Sequence, residues 1–187
     1  MADTRPDDNL YYETRLALFS QGDIFRDVPL AYPTPADEFV LADDEDTAGS
    51  RRFLSGPFDV GFAMLVTPTC SRRAQGGHGY AHPVRTLLPL RPFDELVEVE
   101  LLDSSKAGLL RKRDALINYM YLPSNDELEL PESIALLYMP VTLHHDFLAG
   151  QRVTQLTVDA ARQLHSKLVW FASGLKLDRE TFDPPMD

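Results

Sequence analysis

The chain is poor in the residues from which most recognisable sites are built. Its 187 residues include one cysteine, Cys70, and one tryptophan, Trp170. A single thiol forms no internal disulfide and supplies no paired-cysteine zinc knuckle, and it suits a reducing compartment. No apolar run reaches the roughly 18 residues that a membrane helix needs, so no membrane role is expected. Met1 to Asp8 is polar and acidic, with no basic stretch leading into an apolar one, so no secretory signal is expected and the expected location is cytoplasmic. There is no phosphate-cradling glycine loop, dinucleotide fingerprint, metalloprotease helix or hydrolase elbow. These absences take the commonest nucleotide-dependent and hydrolytic classes out of first place, and no cofactor is expected.

Positive charge is also scarce. The chain carries 18 basic and 29 acidic residues, a net charge of −11. Residues 1–60 hold 5 basic against 13 acidic, and residues 121–187 hold 5 against 10. The middle third reverses the balance, 8 against 6, with Arg72, Arg73, Arg85, Arg91, Arg111, Lys112 and Arg113. Phosphate affinity needs concentrated positive charge, so the acidity opposes indiscriminate nucleic-acid binding while leaving room for a local basic patch.

The length fits one domain, and the 44% hydrophobic content is enough for a core. The divisions expected are a tail and short helix over 1–20, one domain over 21–175, and a tail over 176–187. A strand begins near Gln21, and Pro29, Pro33 and Pro35 are expected to end it. Residues 36–57, with Asp43-Asp44-Glu45-Asp46, read as a long acidic connection or flap. Val60 to Thr67 is nearly all apolar, as in a strand covered on both faces. Val84 to Leu90, Ala115 to Leu122, Ser133 to Leu143 and Gln151 to Leu156 read as further strands. Pro92 and the acids Asp94 and Glu95 suit the opening of a helical turn.

The final element is the clearest helix. Thr157 suits its N-cap, Asp159 its first turn and Gly174 its end. Its expected apolar stripe is Val158, Ala161, Leu164, Leu168, Phe171 and Ala172. Many short strands closed by one amphipathic helix predict an α+β fold with a small curved antiparallel sheet or barrel.

Three features of that layout carry a resemblance: Gly22-Asp23-Ile24 opening the first strand, Ala63 to Thr67 in a later one, and Arg152 to Thr157 leading into the last helix. In this respect the chain resembles the PemK/MazF-like toxin barrels over roughly residues 21–175. It is also similar to uncharacterised bacterial proteins with a Gly-Asp-Ile-Phe opening and a strand that ends in a cysteine-containing turn. The toxin resemblance implies sequence-selective RNA cleavage by an arginine and a hydroxyl residue near strand ends. Two departures oppose that activity. Gly61-Phe62 stands where the family has an arginine–proline pair, and Leu90 follows Pro89 where it has a threonine. A fold does not carry an activity whose residues are missing.

Chemistry-bearing residues crowd most densely after the strand ending at Thr67, in Cys70-Ser71-Arg72-Arg73 and Gly77-His78-Gly79-Tyr80-Ala81-His82. Cys70, His78 and His82 match no common zinc spacing, and a lone cysteine is ordinarily a small buried hydrophobe. No metal site is expected. If the chain cleaves RNA, Arg72, Arg73 or Arg91 would stabilise charge on phosphate, Arg72 first among them, with His78 or His82 as acid or base. Arg73, Tyr80, Arg85 and Arg91 form the expected partner or nucleic-acid surface, Tyr80 by stacking on a base. Internal pairing with acids is the competing explanation for the arginines. His144-His145-Asp146 reads as a strand leaving into a turn.

The leading expectation is a non-catalytic binding protein of the bacterial cytoplasm with a protein partner or a second copy of itself. The alternative is a divergent, metal-independent endoribonuclease, for which RNA is the partner.

Overall fold

Why an acidic chain with so few long apolar runs still forms a two-sided core is answered by the centre of its sheet. The computed structural model describes residues 10–11, 19–30, 40–43, 52–55, 58–67, 83–98, 111 and 118–173. Among these, the main sheet holds β1 (Asp23–Leu30), β4 (Asp59–Leu65), β5 (Val84–Pro92), β6 (Tyr119–Leu122), β7 (Ser133–Leu136), β8 (Val141–His144) and β9 (Arg152–Gln155). Its order is β6-β7-β5-β4-β1-β9, with β8 also paired to β5, and every pairing is antiparallel. The sheet curls into a half-barrel, and α1 (Phe93–Glu98) and α2 (Val158–Ser173) complete an α+β fold.

The continuous apolar runs of β4 and β5 follow from cover on both faces, because successive side chains of a strand point to opposite sides. Phe25, Ala63, Leu65 and Leu87 pack on one face with Leu148. Ile24, Met64, Leu88 and Leu90 pack on the other with Ala160 and Leu164 of α2. A third, smaller cluster seats α1 through Phe93 and Leu96 against Ile134 and Leu136.

β1 runs on through Pro29 to Leu30, past the expected stop. β9 pairs only with Asp23 to Phe25, so at Pro29 the ladder is one-sided and a missing N–H is tolerated. The strand slips register between Phe25 and Val28, where Asp27 takes φ 54°, and such a bulge bends a sheet.

The connection over 36–57 is not structureless: β2 (Val40–Asp43) pairs with β3 (Arg52–Ser55) as a separate two-stranded sheet. Pairing satisfies backbone groups that a long loop would leave to water.

Ser133–Leu143 does not form one strand. β7 lies along Leu90 to Pro92 of β5, and β8 lies along Val84 to Leu87. Between the pairs Leu90–Ala135 and Leu87–Val141, one side advances 3 residues and the other 6. Pro89 and Pro140 flank this excursion, and neither can donate a ladder hydrogen bond.

The short helix expected over Leu10 to Ser20 also needs correction at its start. Tyr11 bridges antiparallel to Leu156, and the Leu10 carbonyl accepts from the Thr157 N–H at 2.8 Å.

In α2, Thr157 caps the first turn as expected, its Oγ1 accepting from the Ala160 N–H at 3.4 Å. The buried stripe is narrower than the sequence predicts. Ala160 and Leu164 are buried, and Ala161 and Leu168 pack beside them. Val158, Phe171 and Ala172 are exposed. No helix among the described residues is long and apolar enough to cross a membrane.

Candidate functional site

The described polar groups converge where β1 begins, between β9 and the 3-10 turn His145–Leu148. Gly22 sets this corner. It takes φ +90°, donates to the Leu65 carbonyl at 2.8 Å and accepts from the Leu156 N–H at 3.0 Å. An added Cβ would stand 3.1 Å from Leu156, so both the backbone and the space favour glycine.

Asp23 follows and is fully buried, 0% exposed. Its carboxylate accepts from the Ser20 N–H at 2.6 Å, Gln155 Nε2 at 2.9 Å and Arg152 Nη1 at 3.2 Å. Burial pushes the Asp23 carboxyl above its ordinary value, against the lowering pull of those donors and of the Arg152 charge. Arg152 reaches Asp23 across the edge pairing of β9 with β1, and its guanidinium also lies over the Phe19 ring at 5.4 Å. The remaining surface of Phe19 meets Phe25 edge-on at 5.0 Å and His145 at 4.8 Å.

His145 is positioned from β5. Its N–H donates to the Pro83 carbonyl at 2.6 Å, one residue beyond the Val84–His144 pair. Burial lowers the imidazole's proton affinity, and the Arg85 charge lowers it further. His144, on the opposite side of the chain, stays exposed, and its Nδ1 accepts from the Asp146 N–H at 3.4 Å. The pair is therefore a strand exit, as expected, and it divides one histidine to solvent and one inward.

The sequence-predicted residues are not gathered here. Cys70, Arg72, Arg73, His78, Tyr80 and His82 lie outside the described residues. Arg85, expected at a surface, is 1% exposed and donates through Nη1 to the Val84 carbonyl at 3.1 Å. A guanidinium placed so deep presents no face to a macromolecule. Arg91 lies toward the far end of β5, about 20 Å away at strand rise, bridging Asp59 at 3.7 Å and Glu95 at 3.6 Å. Arg91 is thus paired with acids, as the competing explanation has it, and among the described residues these are Asp59 and Glu95.

Arg111, one of the basic residues of the middle third, holds Glu132 with two bonds of 2.7 and 3.0 Å and covers the Phe93 ring at 4.6 Å. Tyr121 donates to the same carboxylate at 2.6 Å. Glu132 is accordingly held below its ordinary value, chiefly by Arg111, while burial and then Glu132 push Tyr121 up to about 12.

Sequence reasoning missed the Asp23 cluster. The available signal was an acid heading an apolar strand, Asp23-Ile24-Phe25, since a carboxylate there must find partners. Its side-chain partners are 129 and 132 residues away, so no local pattern names them. Among the described residues no group of three or more His, Cys, Asp or Glu side chains is placed to hold a metal ion. No protein-family model matches the sequence, and no curated protein matches it.

Proposed function

We propose that the chain is a non-catalytic binding protein of the bacterial cytoplasm, using a PemK/MazF-like half-barrel as its scaffold and a protein or a second copy of itself as partner. The carrying observation is how the polar corner is used. Asp23 is surrounded by donors and sealed from solvent, which is the condition of a structural network rather than of a group awaiting substrate. The outer surface meanwhile carries large apolar side chains, among them Phe58, Val60, Phe147 and Phe171. Aromatic side chains supply much of the energy of protein interfaces.

The competing reading, a metal-independent endoribonuclease of toxin type, draws support from the placement of His145 near Arg85. A low-affinity imidazole beside fixed cations is chemistry that phosphodiester cleavage can use. The burial of Arg85 weighs against it, because RNA must reach the cation it uses.

Sedimentation velocity over a concentration series, with Phe147→Asp and Phe171→Asp alongside, tests the binding reading. It predicts a larger species that forms with concentration, or with an added partner fraction, and that one of these variants loses while keeping its fold. Specific RNA cleavage by the purified chain contradicts it.

A further inference from the structure

The 3-10 turn His145–Leu148 joins two opposed requirements. Leu148 is fully buried in the cluster of Phe25, Val28, Leu65 and Leu87, with Phe19 packed against it. His145, three residues earlier, lays its imidazole 4.8 Å from the Phe19 ring. The turn is tied to the start of β5 by the His145 N–H on the Pro83 carbonyl at 2.6 Å, and its far side is closed by two short-range bonds, from the Ala149 N–H to the Asp146 carbonyl at 3.3 Å and from the Gln151 N–H to the Leu148 carbonyl at 3.1 Å. So small a unit depends on its side-chain seat, and a charge placed in that seat acts on the whole turn.

We propose that His145 is a proton-operated latch: neutral, it seats the turn against Phe19, and protonated, it loosens that seat and opens the Leu148 side of the core.

The charged surroundings fix the direction. From β5, the Arg85 charge opposes a second cation on the imidazole. From β9, Arg152 lies over the Phe19 ring, with its charge offset by Asp23 of β1. On the turn itself, Asp146 favours the imidazolium and His144 opposes it. Asp146 is exposed and also within 3.3 Å of His144, so solvent screens its help, whereas Arg85 is buried. The unfolded chain takes up the proton near the ordinary histidine value of 6.5, and the folded chain resists it until lower pH. The contribution of His145 to stability is therefore complete above about pH 6.5 and is lost as pH falls through the folded value. This inference does not depend on the binding reading above.

Amide hydrogen-exchange protection at Ala149 and Gln151, measured at about pH 7.5 and about pH 5 on either side of the histidine range, tests the latch. The wild type is expected to lose protection several-fold at the lower pH. His145→Gln and His145→Phe, which cannot gain the charge, are expected to keep it. Two variants allow for one failing to fold, and Glu132→Gln, which removes a carboxyl that titrates below 4.5 and so outside this range, serves as a control that should show the same several-fold change between the two pH values. Unchanged protection in the wild type overturns the latch. So does an equal loss in a folded His145 variant.

Discussion

A fully buried carboxylate is an unusual place to find an acid, and Asp23, with three donors around it, shows what such a residue does for the fold. Its bonds tie residue 20, β1 and β9 together at one point. Removing one partner of a buried ion pair leaves the other charge stranded, which costs about 3 kcal/mol or more. Asp23→Ala is accordingly expected to lower the denaturant midpoint by that scale. Asp23→Asn should lose less, since it keeps one acceptor oxygen. Equal loss from both would mean that the oxygen Asn retains contributes nothing and that the carboxylate's charge carries the effect. Gly22 supports the same corner through conformation rather than charge. Alanine there must adopt φ +90° and press on Leu156. A loss of about 1 to 2 kcal/mol for Gly22→Ala is expected in chemical denaturation.

At the scale of elements, α2 and the interrupted β7–β8 strand show which sequence signals hold and which fail. Thr157 was legible as a cap because capping is local, an oxygen three residues before the amide it serves. Thr157→Ala should cost about 1 kcal/mol, read as a shift in thermal unfolding with the fold retained. The far half of the helix was less legible: Phe171 continues the apolar period but lies beyond the reach of the sheet and is 40% exposed. Periodicity reports which side chains share a face, not how far the facing layer extends.

The break between β7 and β8 was hidden for a similar reason. The composition of Ser133 to Leu143 is that of a strand throughout. What interrupts it is partly a proline in another strand, Pro89 of β5, and pairing partners are non-local information.

Over the whole molecule, the order of short strands and one closing helix was enough to read the fold class, because it depends on element sequence and apolar pattern. The polar corner was not readable, because it is assembled from residues 20, 23, 152 and 155 by antiparallel pairing of the chain's two ends. The histidines and arginines near the glycine-rich segment are the more conspicuous chemistry in the sequence, and most of those lie outside the described residues.

The pH response is also a property of the whole. Glu132 is held below its ordinary value of 4.5, so its contribution is present above that pH and fades as acid titrates it. Its partner Arg111 is half exposed, so Glu132→Gln is expected to cost only about 0.5 to 1 kcal/mol near neutrality and to flatten the acid limb of stability. Asp23 acts in the opposite sense. With its folded value raised from 3.8, the proton-linked part of its contribution is complete below 3.8 and is lost as pH rises through the folded value, while its tie to Arg152 and Gln155 remains.

The most direct test of the central claim, that this half-barrel binds rather than catalyses, is incubation of the purified chain with a mixed RNA pool, with and without chelator. Arg72→Ala, His82→Ala and His145→Ala variants of verified fold run beside it. Intact RNA is expected in every lane, at protein concentrations where the chain is folded. Cleavage at defined sites that any of these substitutions abolishes would contradict it.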